Sequence, residues 1–284
     1  MPLSLARGAL GIGLKHQHAE TLLTANRPVD FLELHAENYM GPGGPERERL
    51  HAIAARYPLS VHGVGMSLGG AERPDAAHLR RLARLVGELT PTLVSEHLAW
   101  SRLDSDYYND LLPVPLTEES LSLVARNIDI VQQALGRRLL IENPSLYIGL
   151  DANTIDEAAF LAALVERTDC GLLLDINNAF ISAFNLGRDL DDYLAGLPLG
   201  AIGEFHLAGH SLDMAVDPPL RIDDHGGPVC EAVWSLYAQL ARQQPDVPTL
   251  IEWDTRVPSL SRWLEEVERA RAYRGETTCA AVDD

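Results

Sequence analysis

Eight short apolar, β-branched runs recur along the chain, at residues 10–14, 30–35, 59–64, 92–97, 138–143, 171–177, 201–207 and 248–254. Between them lie longer segments whose apolar residues return every three or four positions, such as DAAHLRRLARLVGELT, TEESLSLVARNIDIVQQALG, TIDEAAFLAALVERT and PVCEAVWSLYAQLARQQ. Several of these open on a Ser, Thr or Asp suited to cap a helix. The alternation is a βα repeat. Eight such units within about 250 residues predict an α/β chain folded as a (β/α)8 TIM barrel in preference to an open doubly wound sheet. No GxGxxG or GxxxxGK[ST] follows the first run, which removes the usual sequence support for the open sheet. With 284 residues, 46% of them hydrophobic, the chain can fill one such core. No Pro, Gly or Ser-rich linker interrupts residues 8–273, so residues 1–274 read as a single barrel domain and residues 275–284, GETTCAAVDD, as a flexible C-terminal tail.

Charge narrows the partners. Forty-one acidic residues against 23 basic give a formal charge of −18, which repels phosphate backbones and anionic lipid, so neither nucleic acid nor membrane is expected as a partner. No apolar run approaches the roughly 20 residues needed to span a bilayer. The N-terminal MPLSLARGALGIGL lacks the long apolar core and cleavage site of a secretory signal, and the protein is expected to be cytoplasmic. Cys170, Cys230 and Cys279 are odd in number and widely spaced, forming neither a disulfide framework nor a CxxC zinc pattern.

The strands end in polar residues. In CGLLLDINNAF, residues 170–180, a dry run passes directly into Asp175, Asn177 and Asn178, and other strands do the same. Strand three carries His62, strand four Glu96 and His97, strand five Glu142 and Asn143, strand seven Glu204 and His206 with His210 beyond, and strand eight Glu252 and Asp254. Asp223 and His225 stand in the loop after strand seven. In a barrel of this type the strand ends and βα loops share one mouth, where the functional site is built. Acids crowded into a partly dry mouth repel one another unless a cation is present. His62, His97, His206 and His225 with Glu142, Asp175, Asp223 and Glu252 exceed what one metal can use, and suit two or three ions bridged by a carboxylate. Nitrogen and oxygen donors without cysteine favour iron, manganese or catalytic zinc. Glu96, Glu204 and Asp254 fall out of phase with the neighbouring candidates and suit either ligation or support of the ligands. His35, Glu37 and Asn38 close strand two within reach of the mouth, with substrate contact as their expected role. His16, His18, His51 and His78 read as solvated.

HGVGMSLGG, VSEHLAWS, YYNDLLPVPLTEESL, IENPSLY, LLLDINNAFISAFNLG, EFHLAGH, IDDHGGPV and LIEWDTRVP, in this order over nearly the whole chain, resemble the motifs of the multinuclear non-haem iron-dependent oxidative enzymes. That family includes the methanobactin biosynthesis oxidase and related enzymes that modify cysteines of ribosomally made peptides. The resemblance implies a TIM barrel, two or three irons in a mixed Fe(II)/Fe(III) state, and O2 as co-substrate. It implies a Cys-containing precursor peptide as substrate and a separate leader-peptide-recognition protein as partner. Carried over, the metal ligands fall on His62, His97, Glu142, Asp175, Asn177, His206, Asp223, His225 and Glu252, with Glu142, His97 and Asp175 at the reacting centre and Glu142 as bridge. Asn177, Asp223 and His225 would hold a third ion. Asn178, His210, Glu96 and Asp254 become supports of the ligands or donors to a weaker third metal; Asn178 stands where some members carry histidine. The loop SRLDSDYYNDLLPVP, with Tyr107 and Tyr108, is expected to border the peptide channel.

Two rivals share the barrel type. A divalent-metal sugar isomerase or an abasic-site endonuclease also gathers His, Asp and Glu at the mouth. The negative charge speaks against the endonuclease, and the lack of an obvious strand-end lysine against the isomerase. A metal-dependent peptide-binding protein without catalysis is the third.

Overall fold

The computed structural model describes residues 3–104 and 106–275, so residues 276–284 of the expected tail, with Cys279, lie outside the described residues. Strands β1 (Leu10–Gly13), β2 (Phe31–His35), β3 (Leu59–Gly63) and β4 (Leu93–His97) are followed by a hairpin of β5 (Trp100–Leu103) and β6 (Asp106–Leu112). Next come β7 (Leu140–Glu142), β8 (Gly171–Asp175) and β9 (Ile202–Leu207), a second hairpin of β10 (Ser211–Asp213) and β11 (Leu220–Ile222), and finally β12 (Thr249–Ile251). The eight strands outside the hairpins close into one parallel barrel in the order β1-β12-β9-β8-β7-β4-β3-β2. This is the (β/α)8 architecture that the βα repeat predicts.

The connecting helices are α1 (Ala19–Thr24), α2 (Pro45–Ala54), α3 (Ala76–Leu89), α4 (Glu118–Leu135) and α5 (Glu157–Thr168) in the first part of the chain. α6 (Ile176–Leu186), α7 (Leu190–Gly196), α8 (Glu231–Gln243) and α9 (Leu260–Tyr273) complete the set. Their sequences explain their limits. The Asp75 carboxylate accepts the His78 N–H to start α3, whose buried stripe of Leu79, Leu82, Leu85, Val86 and Leu89 repeats at helical spacing. The Thr117 hydroxyl starts α4 in the same way, and Gly136 in the left-handed region ends it. Among the described residues no helix is long and apolar enough to cross a membrane.

The barrel interior is layered. Register sets Gly11 opposite Phe31 and Gly13 opposite Glu33, and alternation places Phe31, Glu33 and His35 on one face of β2. Phe31 packs with Ala9 and Leu250 in a small apolar cluster of its own. A Cβ on Gly11 would lie 2.6 Å from the Phe31 ring, so only glycine leaves that ring its place. One layer further along, the Ser60 hydroxyl donates to Glu33 at 2.9 Å or Glu204 at 3.2 Å. Further along lie the buried polar residues His62, His97, Glu142, Asp175 and His206.

Some expectations need correction. Strand six was expected to run to residue 177, but β8 stops at Asp175, because the Asp175 carboxylate accepts the Asn178 N–H at 2.6 Å and caps α6. Asn177 and Asn178 therefore stand on the first turn of a helix. The loop 101–115 contains most of an ordered antiparallel hairpin. His18 is buried, with its ring nitrogen 2.9 Å from the Pro258 carbonyl and its ring edge-on to Trp263, and His78 is paired with Glu37 at 3.1 Å. His16 and His51 are exposed as expected.

Glu157, the first residue of α5, is shut in with only Arg188 and the Tyr193 hydroxyl as polar partners, and burial pushes its carboxyl up to about 7. Between the ordinary carboxyl range and about pH 7 the unfolded chain loses this proton while the folded chain keeps it. Folding stability therefore falls as pH rises through that window. Glu157→Gln is expected to remove this loss, a gain on the order of 3 kcal/mol near pH 8 that vanishes near pH 4, read from urea unfolding at the two pH values.

Candidate metal centre

Each donor reaches the mouth for a local reason. Parallel pairing aligns His35 with His62, His97 with Glu142, and Asp175 with His206, so neighbouring strands deliver their polar ends at one height. Glu252 follows the last residue of β12, its N–H held by the Leu207 carbonyl at 2.8 Å. His225 arrives from the loop beyond β11 with φ at 44°. Asp175 is fixed twice: its backbone exchanges two hydrogen bonds with the Asn143 carboxamide, at 2.9 and 3.0 Å, while its carboxylate caps α6.

The donors form overlapping groups. His62, His97 and Glu142 offer ligand atoms all within 4.8 Å of one another, and so do Glu142, Asp175 and His206. The same limit holds for Asp175, His225 and Glu252, for Glu33, His206 and Glu252, and for His35, Glu252 and Asp254. Glu142 is common to two groups. His62 Nε2 and His97 Nε2 lie 3.3 and 3.2 Å from Glu142 Oε2, and 3.3 Å from each other. His206 Nδ1 is 3.1 Å from Glu252, and His225 Nε2 is 2.7 Å from Asp223. His62, His97, Glu142, Asp223, His225 and Glu252 line a cavity of about 420 Å³ that also touches Tyr107, Tyr147 and Asn178.

Other residues hold the donors. The Ser95 hydroxyl, 2.7 Å from His62 Nδ1, and the Gly63 carbonyl, 3.2 Å from His97 Nδ1, orient both rings so that Nε2 faces Glu142. Asp254 accepts from His225 Nδ1 at 3.0 Å and from Lys15. Glu96 points away from the mouth, accepting the Met66 and His97 N–H groups, and burial pushes its carboxyl up to about 8. Asn178 donates to Glu142 Oε1 at 3.3 Å, and Asn177 donates to Asp223 Oδ1 at 2.9 Å while accepting from His210 at 2.7 Å. Tyr107 lines the cavity, whereas Tyr108, the next residue of β6, turns to the other face and packs edge-on against Trp100. Asn38 lines an adjoining chamber of about 340 Å³ beside Lys15 and His35. Lys15, two residues beyond β1, is a strand-end lysine after all.

Glu33 and Tyr147 escaped the sequence reading. Glu33 stands 3.4 Å from His206 and shares the inward face of β2 with His35, a period-two signal that was there to read. Tyr147, whose hydroxyl accepts the Asp223 N–H at 3.1 Å, comes from a loop and carries no periodicity.

The electrostatics call for a cation. Burial raises the Glu142 and Asp175 carboxyls well above the usual range, and neighbouring carboxylates add to it. Burial lowers His62, with His97 and His206 adding to the effect, and lowers His97 to about 4, so both offer neutral rings with a free lone pair. His206 and His225 go the other way: carboxylates led by Glu252 overcome burial and hold them well above 6.5, while these imidazolium rings bring Glu252 down to about 2. Glu142 Oε2, Asp175 Oδ2, both nitrogens of His206, His225 Nε2 and Glu252 Oε2 are buried with no hydrogen-bond partner among the described residues. Each such atom costs about 1–3 kcal/mol, more when charged. Close approach without hydrogen-bond alignment is what ligand atoms converging on ions show, and the donor set fits metal binding.

Residues 9–274 match the family model of the RiPP precursor modification enzyme MbnB/TglH/ChrH. A UPF0276 protein of Rhizobium meliloti is 48% identical over 266 residues, covering 93% of this chain and 86% of that protein. One from Vibrio parahaemolyticus is 41% identical over 269 residues, covering 95% and 93%. Among solved structures, endonuclease IV from Thermus thermophilus has a TM-score of 0.59 at 17% identity, covering 95% of this chain and 100% of that one. The 3-keto-D-glucoside 4-epimerase of E. coli gives 0.60 at 12%, covering 93% and 98%. At these identities the structural likeness speaks for the barrel alone.

A metal held by His206 would displace the proton on that ring, so its affinity is expected to rise with pH. Adding a divalent transition metal to metal-free protein is expected to stabilise it by about 2.7 kcal/mol when the free ion exceeds Kd about a hundredfold. The thermal shift at fixed ion concentration is expected to be larger near pH 8 than near pH 6. A shift independent of pH would contradict this account of the His206 ring.

Proposed function

The chain belongs to the RiPP precursor modification enzyme family MbnB/TglH/ChrH, and from that premise we propose that it uses iron and O2 to oxidise cysteine residues of a ribosomally synthesised precursor peptide. The observation that carries the reading is the overlap of His62, His97 and Glu142 with Glu142, Asp175 and His206, which offers neighbouring metal positions sharing one carboxylate. In this reading His62, His97, Glu142, Asp175, His206 and Glu252 hold two irons. Asn177, Asp223 and His225 border a third position.

Bound there, iron supplies Lewis acidity that favours a thiolate over a thiol and a store of electrons for reducing dioxygen. The protein does the rest. Ser95 and the Gly63 carbonyl keep the Nδ1 edges of His62 and His97 engaged, so only Nε2 faces the centre. Asn178 occupies Glu142 Oε1 and leaves Oε2 free to bridge. Asp254 holds His225 by Nδ1, which directs Nε2 inward. A cavity of about 420 Å³ admits a cysteine with its neighbours but no folded domain, so the peptide enters extended, past Tyr107 and Tyr147. A separately encoded protein that captures the leader segment belongs to the same reading.

Glu142→Ala and His97→Ala are each expected to lower bound iron and reduce oxidation of a Cys-containing peptide by about a hundredfold or more, the peptide being taken from a neighbouring reading frame. Mass spectrometry, oxygen uptake and elemental analysis of anaerobically purified protein read the outcome. Full iron content and activity in both variants would refute the assignment, and zinc or manganese that iron cannot replace would favour a hydrolase or isomerase. Tyr107→Ala is expected to raise the KM for the peptide severalfold with little change in kcat, and Tyr108→Ala to change neither.

A further inference from the structure

One hydrogen-bond chain runs from the surface into the mouth. Arg221 Nη1 lies 2.6 Å from His210 Nε2, His210 Nδ1 lies 2.7 Å from Asn177 Oδ1, and Asn177 Nδ2 lies 2.9 Å from Asp223 Oδ1. Each link dictates the next. A guanidinium only donates, so His210 Nε2 must accept and the ring proton must sit on Nδ1. That N–H requires an acceptor, which turns the carbonyl oxygen of Asn177 towards His210. The NH2 of Asn177 then faces Asp223.

An amide nitrogen in this state has no lone pair for a metal, so the ring of donors formed by Asn177, Asp223 and His225 lacks one member. Turning the amide over would set its NH2 against the protonated Nδ1 of His210 and its oxygen against the Asp223 carboxylate. Arg221 is itself held firmly. Its backbone exchanges two hydrogen bonds with the Asn185 side chain, at 2.8 and 3.0 Å, and pairs with Leu212 in the hairpin. The guanidinium lies over the rings of Phe180 and Phe184, at 4.8 and 4.5 Å from their centroids, on the same helix that begins beside Asn177.

We propose that Arg221, acting through the His210 tautomer and the Asn177 amide, closes the position between Asn177, Asp223 and His225 to a metal, so that this chain works with two ions. The inference rests on the reading of the mouth as an iron centre and specifies its stoichiometry. Arg221 is a positioning residue: its charge reaches the centre only through two intervening side chains.

The test is anaerobic titration of metal-stripped protein with Fe(II) alone, by equilibrium dialysis and elemental analysis. The native sequence is expected to take up two ions per chain. Arg221→Leu frees the ring and amide to reorient and is expected to bind a third, with affinity at that position up at least about tenfold. Asn177→Asp keeps Arg221 but gives one carboxylate oxygen to His210 and the other to a metal, and is also expected to bind three; it carries the test if Arg221→Leu does not fold. In the metal-free native protein, ring ¹⁵N shifts of His210 are expected to show the proton on Nδ1. Three ions in the native protein, two in every folded variant, or a His210 proton on Nε2 would each overturn this inference and leave the iron-centre reading standing. Fewer than two ions in the native protein would overturn both.

Discussion

The interior of this barrel confines Glu33, Glu142, Asp175, Glu204 and Glu252, all almost fully buried, around one axis. Much of the surrounding architecture answers that repulsion. Unpaired buried carboxylates cost several kcal/mol each, so the structure must supply protons, imidazolium rings or metal ions in their midst. His206 and His225 are placed to do so, and the Ser60 hydroxyl can bond either Glu33 or Glu204 beneath them. A mouth that keeps several acids buried close together fits a site for cations.

The two hairpins are the main additions to the eightfold repeat. One follows β4 and brings Tyr107 to the cavity; the other follows β9 and delivers Arg221 and then Asp223 and His225. They differ in their attachment. β11 is clamped to α6 through Asn185, whereas the exposed part of β6 bulges away from β5 between Tyr107 and Leu112. The clamped hairpin suits residues that must be placed to a fraction of an ångström, and the freer one suits contact with a flexible peptide.

Much of this was legible in the sequence. The βα alternation fixes the barrel because burial on both faces makes each strand a short apolar run, and the polar strand ends then point to the mouth. Legibility failed where a residue does two things. Asp175 was read as a strand end, but it is also a helix cap, so the strand was drawn two residues too long. Glu33 was hidden inside an apolar run because barrel interiors are expected to be dry. Arg221 and Lys15 depend on contacts between residues distant in sequence, which no local pattern records. His18 reads as a surface residue until Trp263 and Pro258, some 240 positions away, close over it.

The barrel closes by pairing its first strand with its last, β1 with β12, and the donors are strung between Glu33 and Glu252. Such a centre is assembled late. While the chain emerges from the ribosome, His62, His97 and Glu142 on the neighbouring strands β3, β4 and β7 are out long before Glu252, and only closure of β1 on β12 brings Glu33 and Glu252 together. A site that joins Glu33 to Glu252 is therefore completed only when synthesis is nearly finished.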